Sequence, residues 1–466
     1  MNLSFLRGLP LKALLLLPLA AFTSSVKQGP KPDPQVIAQF GLLNNSNLQA
    51  FINQEGQRMV KISDRPGDYG FTIVDSPIIN AFATPDGHVY FTRGIMAHFN
   101  NEAQFAGVLG HELGHITARH GQSQQRRSTA AGIGLLLGSI LAPRITQQIG
   151  GIAQQGLGVL FLKYSRDDER EADQLGVKYS SKIGFDASQM ADFFLTLQRT
   201  EQQSGSSVPT FLSSHPNSAD RYKTVKNLAA QAKQQIGGAV NVNRDSYLRS
   251  IDGLAYGEDP RQGFVENSTF YHPDLKFQLP VPKGWKYQNS PDKFQMAEPN
   301  GKALLVFMAG GNGSLEDAAQ ALAKQMSLQN ASAQKGTINS FPAVVVQGDQ
   351  PAQSGESGGA RVLAHLIQDG QTIYALVGLT SPSAISTYGR TFTSVAQGFR
   401  RLTDASKLNR QPERIRIKTA SGNTTLAQAF SAAGIPSSRH EELAILNGMQ
   451  RSDRLSAGQL YKVVGR

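Results

Sequence analysis

Five consecutive residues, His111-Glu112-Leu113-Gly114-His115, constrain this chain more than any other stretch of its 466. On a helix, positions four apart lie one above the other, so both imidazoles leave the same face. Two neutral imidazoles at that spacing grip one Zn²⁺ ion, and the adjacent glutamate can take a proton from a water that the metal acidifies. The flanks read as helix. Asn101-Glu102-Ala103-Gln104 is a cap with Gln at its third position, and Leu109, Leu113 and Ile116 recur at helical spacing. That apolar stripe is core and turns the ligand face toward a cleft. The competing reading is a surface helix carrying two histidines by chance, since so short a pattern also arises by accident.

The chain has no cysteine, which excludes disulfides and thiolate ligands, so zinc has to be held by His and carboxylate. An open zinc site takes three protein ligands. In Ser165-Arg166-Asp167-Asp168-Glu169-Arg170-Glu171-Ala172-Asp173, Glu169 and Asp173 share one helix face and Glu171 points elsewhere. Glu169 would complete the ligand set, with Asp173 orienting one of the histidines. Taken alone, the same stretch is a solvated acidic helix start, favoured by the helix dipole. The Met-turn arrangement is ruled out: the glycine and third histidine it needs, seven and ten residues after His111, are Ala118 and Gly121 here. His120 sits one residue off and reads as a helix-end cap or a carboxylate's partner. In Leu212 to Arg221, His215 precedes a proline and so lies in extended chain, with Arg221 in the first turns of the next helix. A loop histidine with a nearby arginine can offer positive charge to an oxyanion.

Net charge is +11. The basic residues are scattered, without an aromatic-interleaved groove, so no nucleic-acid partner is expected; a solvated basic surface is the plain reading, with attraction to anionic headgroups or acidic polymers as the alternative. Residues 1–25 have the form of an export signal: Arg7 and Lys12, then Ala13 to Phe22, then Ala20, Ala21, Ser24 and Ser25 as small residues for cleavage. The apolar run is too short to span a bilayer. The expectation is an exported chain, soluble or peripheral, periplasmic in a Gram-negative cell. Residues 35–60 read as one or two amphipathic helices. Tyr69 to Val74 and His88 to Thr92 read as strands, with Pro85-Asp86-Gly87 as a turn, which suggests a small antiparallel sheet ahead of the zinc helix. Its free edge could pair an extended peptide, or it is an ordinary hairpin. Thr129 to Pro143 is apolar but only 15 residues long. That falls short of the roughly 20 a spanning helix needs, so burial is expected there. Gly150 to Leu162 continues in the same style.

Together, HELGH at 111–115, EREAD at 169–173 and SHPNSADR at 214–221 resemble the M48 family of zinc metalloproteases, over roughly residues 35–235. The resemblance implies His111, His115 and Glu169 as zinc ligands, Glu112 as general base and Asp173 in support. It also implies His215 and Arg221 as the pair at the substrate or oxyanion, and Asn80-Ala81-Phe82 as the strand that holds substrate backbone. In latent periplasmic members the matching histidine is similar to a switch that occupies the open zinc position. The chain lacks the long transmembrane helices of the integral-membrane members, so the resemblance points to the exported branch, which degrades misfolded or stalled outer-membrane proteins.

Residues 237–262 read as a polar linker with a short helix over 245–251. Residues 263–403 read as an α/β accessory domain: Leu304 to Phe307 and Ala343 to Val346 as strands, a hairpin at Asp369-Gly370, and helices over 314–328 and 383–399 capped by Ser314 and Ser383. Residues 412–466 resemble a divergent LysM-like βααβ module, which implies peptidoglycan contact; a helper fold without ligand is the alternative. The expected whole is α+β and multidomain, led by a mainly helical zincin-type (gluzincin) protease domain at 35–236. Its expected work is hydrolysis of envelope polypeptides. The rivals are a largely latent chaperone or assembly factor gated by His215, and a wall-binding protein with an inactive protease.

Overall fold

The computed structural model describes residues 29–121, 164–204, 211, 215, 219–236, 240–351 and 359–466. Residues 1–25, read above as an export signal, and the apolar runs at 129–143 and 150–162 lie outside the described residues. Among the described residues no helix is long and apolar enough to cross a membrane.

Asp33 and Asn45 cap α1 (Pro34–Phe40) and α2 (Ser46–Ile62). Three strands follow: β1 (Gly70–Val74), β2 (Ala81–Ala83) and β3 (His88–Thr92). The sheet is mixed rather than antiparallel, in the order β1-β3-β2, with β1 parallel to β3. The turn at Pro85-Asp86-Gly87 does fold β2 against β3, but β3 then returns along the direction of β1 and pairs with it. This leaves β2 as an edge strand, packed against the zinc-motif helix.

Thr92 caps α3 (Arg93–His98), and Asn101 caps α4 (Glu102–Thr117) by accepting from Gln104 N at 2.8 Å. Gln104 returns its side-chain oxygen to Asn100 N, one residue ahead of a regular capping box. Every residue of α4 from Ala103 to His115 is buried, so the helix is enclosed all round and not merely along its apolar stripe. A full capping box of Ser165 and Asp168 starts α5 (Arg166–Lys182). Helix α7 (Ala219–Ile236) packs on it, α6 (Ser188–Ser204) packs on α4 and α7, and α8 (Arg244–Ser250) leads to β4 (Ala255–Tyr256).

The second unit carries a four-stranded sheet of β5 (Phe264–Glu266), β6 (Thr269–His272), β7 (Phe277–Pro280) and β15 (Arg400–Arg401). Its seven-stranded sheet runs in the order β11 (Gln329–Ile338), β12 (Phe341–Gln350), β13 (Ala360–Asp369), β14 (Thr372–Thr380), β10 (Ala303–Asn312), β9 (Lys293–Ala297) and β8 (Lys286–Ser290). All its neighbours are antiparallel, which makes the unit α+β where α/β was expected. Tight links such as Asp369-Gly370 join adjacent strands without the crossover helices that parallel strands need. Helix α9 (Leu315–Gln325), capped by Ser314, joins the apolar cluster on one face, and α10 (Ile385–Gln397) joins that on the other. Ser383 lies instead in a 3₁₀ turn ahead of α10.

The terminal unit is βααβ: β16 (Glu413–Thr419), α11 (Leu426–Ala432), α12 (His440–Leu446) and β19 (Leu460–Gly465), with β17 (Thr424–Thr425) paired to β18 (Arg454–Leu455). It does not stand apart from the rest. β4 extends its sheet through β16, and Ile415, Phe430, Leu443, Leu446 and Tyr461 share one hydrophobic cluster with Phe91, Phe99, Phe105 and Leu109. The fully buried Lys462 donates from Nζ to Ala97 O at 2.9 Å and Phe99 O at 3.0 Å.

Candidate metal centre

Helices α4 and α5 cross until backbone meets backbone. A Cβ added at Gly110 would stand 2.9 Å from Gly176 O, and one at Gly176 would stand 3.0 Å from His111 N. Glycine permits that approach, and the approach brings carboxylates from the start of α5 to the imidazoles of α4. His111 Nε2 and His115 Nε2 are 3.1 Å apart. Glu169 lies 3.7 Å from His111 Nε2 through Oε2 and 3.5 Å from His115 Nε2 through Oε1. His215, ahead of α7, sets Nδ1 3.2 Å from His111 Nε2 and 2.9 Å from Glu169 Oε1.

These four residues are buried, and their ligand atoms lie within 4.8 Å of one another. Nitrogen and oxygen donors bound tetrahedrally to zinc at ~2.0–2.1 Å stand ~3.3 Å from each other. The separations here, from 2.9 to 3.7 Å, bracket that edge length. Glu112 is fully buried, and neither carboxylate oxygen has a hydrogen-bond partner among the described residues. A carboxylate left so calls for a partner from outside the chain, a water or a substrate amide. Its nearest cation is His215, with Nε2 3.5 Å from Oε1.

Asp173 accepts from His111 Nδ1 at 3.0 Å, which leaves Nε2 of that ring for a metal. Arg221 donates to both Asp173 oxygens, from Nε at 2.8 Å and Nη2 at 2.6 Å, and from Nη1 to His215 O at 3.2 Å. Its Nη1 also makes an ion pair with Glu169 Oε2 at 3.0 Å. The guanidinium is thus committed to Asp173, behind His111, and to the ligand Glu169 rather than pointed at an oxyanion. Burial pushes the Asp173 carboxyl up, but Arg221 and His111 outweigh it and hold the group below the ordinary range. Glu169 is likewise held low against burial by His215, His111 and Arg221. Glu112 goes the other way: burial raises it, and the opposing histidines do not compensate. His115 is driven well below its ordinary value by burial and then by the neighbouring cations, which keeps it the neutral imidazole that a metal requires.

Asn80 and Ala81 sit at the entry to the edge strand. Asn80 N and O are both tied to Thr92, and Ala81 pairs with Phe91. One residue earlier, Ile79 O accepts from Phe211 N at 2.8 Å. Phe211 is fully buried, and its ring lies 4.3 Å from that of His215. Neither Phe211 nor Tyr164, whose ring stacks 3.8 Å from that of His115, was singled out in the sequence. The available signal was slight: an aromatic four residues before His215, and another just ahead of the Ser165 cap.

Residues 46–229 match the family model described as Peptidase family M48. This part of the chain is an M48 peptidase domain. The chain is similar to the putative beta-barrel assembly-enhancing protease of Vibrio cholerae, at 32% identity over 198 residues, 41% of each chain. It is 30% identical over 220 residues to the beta-barrel assembly-enhancing protease of Escherichia coli K12, covering 44% of this chain and 43% of that one. The metalloprotease YcaL of the same organism is 29% identical over 188 residues, 38% of this chain and 71% of YcaL. The chain therefore spans about two fifths of the length of the first of these relatives. M48 metalloproteases are zinc-dependent, and the donor set of the M48 domain, with a glutamate beside it that has no hydrogen-bond partner among the described residues, fits that ion.

Proposed function

We propose that this chain is an exported zinc metalloendopeptidase that hydrolyses peptide bonds of misfolded or stalled envelope proteins. The observation that carries the reading is the convergence of His111, His115, Glu169 and His215, with ligand atoms within 4.8 Å of one another, beside a buried carboxylate without a hydrogen-bond partner among the described residues. The names of the relatives, beta-barrel assembly-enhancing protease, support polypeptide substrates in beta-barrel assembly, and the periplasmic setting rests on the export signal read at residues 1–25.

Bound zinc supplies a Lewis acid that acidifies the attacking water and polarises the scissile carbonyl. Glu112, its carboxyl raised above the ordinary range by burial, would accept the proton of the attacking water and deliver it to the leaving amine as the C–N bond breaks. Asp173 fixes the tautomer of His111, and Arg221 keeps Asp173 and Glu169 ionised while it ties down the His215 carbonyl. The edge strand Ala81–Ala83 offers backbone to an extended substrate, while Asn80, tied to Thr92, holds the strand in place. Any peptidoglycan contact falls to residues 412–466, and a peptidoglycan pull-down with that unit present and removed tests it.

A second reading is favoured by His215 itself. Its Nδ1 lies among the ligand atoms, 3.2 Å from His111 Nε2 and 2.9 Å from Glu169 Oε1, and Phe211 N donates to Ile79 O beside the edge strand, which supports a chain segment filling the substrate's place. On this reading the protein is largely latent, a chaperone or assembly factor whose zinc site His215 gates. Zinc analysis and casein cleavage by wild type, Glu112→Gln and His215→Ala separate the two. Glu112→Gln should bind zinc and lose ~10²–10⁴-fold of its turnover. Cleavage by His215→Ala alone means latency. An absence of zinc from wild type overturns both readings.

A further inference from the structure

The two ligand histidines of α4 are not held alike. His111 leans on a carboxylate, Asp173, which Arg221 neutralises. His115 has another imidazole behind it: its Nδ1 lies 2.9 Å from Nδ1 of His120. His120 is buried, and its Nε2 faces Glu171 Oε2 at 3.3 Å and Asp168 Oδ1 at 3.8 Å, both on α5. The chain makes a sharp bend to set it there. After the C-cap Ala118, Arg119 takes the left-handed conformation, φ 61°, at a position where glycine is usual.

One arrangement of protons satisfies these contacts. If His115 is to offer Nε2 to a metal, its proton sits on Nδ1 and is donated. His120 Nδ1 must then accept, which puts the proton of His120 on Nε2, directed at Glu171. We propose that His120 is a positioning residue for the metal, fixing the tautomer and ring angle of His115 and linking the two ligand helices through the carboxylates of α5. The choice of side chain has a physical reason. The cluster already holds three buried carboxylates, Glu112, Glu169 and Asp173, and a carboxylate against His115 would add a fourth. A neutral imidazole orients the ring and passes the hydrogen bond outward to Glu171, whose side chain is 60% exposed and solvated. Tyr164, stacked on the face of His115, restrains the rotation that the edge contact alone would leave.

The inference rests on the zinc reading above, and the test separates the two. In the full-length protein, zinc affinity is measured by chelator competition and the visible spectrum of the cobalt(II)-substituted form is recorded, for wild type, His120→Phe and His120→Asn. The phenylalanine fills the space without an acceptor, whereas the asparagine oxygen can stand where Nδ1 stands. His120→Phe should weaken zinc binding roughly 10–100-fold and shift the cobalt bands, with the apo-protein unfolding near the wild-type temperature. His120→Asn should stay within about threefold of wild type with wild-type bands. Wild-type affinity and bands in His120→Phe overturn the proposal, as does a loss of affinity in His120→Asn, the arm that decides if His120→Phe does not fold. A wild type that binds no zinc at all defeats the zinc reading itself.

Discussion

Arg221→Met separates a lock from an oxyanion donor. The wild-type guanidinium is 3% exposed, holds both oxygens of Asp173, and lies 4.5 Å over the Phe194 ring. Methionine keeps much of the contact with Phe194 but strands two buried carboxylates, Asp173 and Glu169, without their cation. Breaking a buried pair from one side costs about 3–5 kcal/mol. For a cooperative unit of this size that is ~10 °C in Tm. Thermal unfolding of the apo-protein, held in chelator, reads the loss without any contribution from metal. Asp173→Asn removes the stranded charge and keeps an acceptor for His111, so the double variant should recover ~1–3 kcal/mol relative to the sum of the singles. A loss under ~1 kcal/mol in Arg221→Met, with kcat reduced and zinc retained, would refute the lock and restore Arg221 to the oxyanion.

Three further outcomes follow from the packing. Burial lowers His88, His98 and His365 from 6.5 to about 4. The unfolded chain therefore binds more protons between those values, so stability is whole above pH 6.5 and falls as pH drops toward 4, by on the order of 3 kcal/mol for each; a urea midpoint constant over that window would contradict it. Gly110→Ala gains ~1 kcal/mol of helix propensity, yet its Cβ would strike Gly176 O, so a net loss of ~1–3 kcal/mol with weaker zinc binding is expected, and a raised Tm would show that the helices need no such approach. Truncation after residue 411 leaves Ala97 O and Phe99 O without their Lys462 donor, at ~1–3 kcal/mol each, and opens the shared core, so peptidase unfolding should fall by ~10 °C or more; an unchanged Tm would mean two independent units.

What the sequence determined by itself is what chain-local geometry controls. Residues four apart must share a helix face, so the pairing of His111 with His115 and of Glu169 with Asp173 follows from spacing, and the caps at Asn101 and Ser314 follow from side chains reaching backbone three residues on. The turn at Pro85-Asp86-Gly87 and the hairpin at Asp369-Gly370 were legible for the same reason. What only the tertiary structure decided depends on which surfaces fit together. The parallel pairing of β1 with β3 comes from a return strand finding a distant neighbour. The commitment of Arg221 to Asp173 and Glu169, the bend that puts His120 behind His115, and the arrival of Phe211 and His215 in the cluster all involve partners no local period can name. The terminal unit repeats the lesson: its βααβ order could be read from 412–466, but the burial of Lys462 under Ala97 and Phe99 rests on a contact across more than 360 residues, set by the closing of one hydrophobic core.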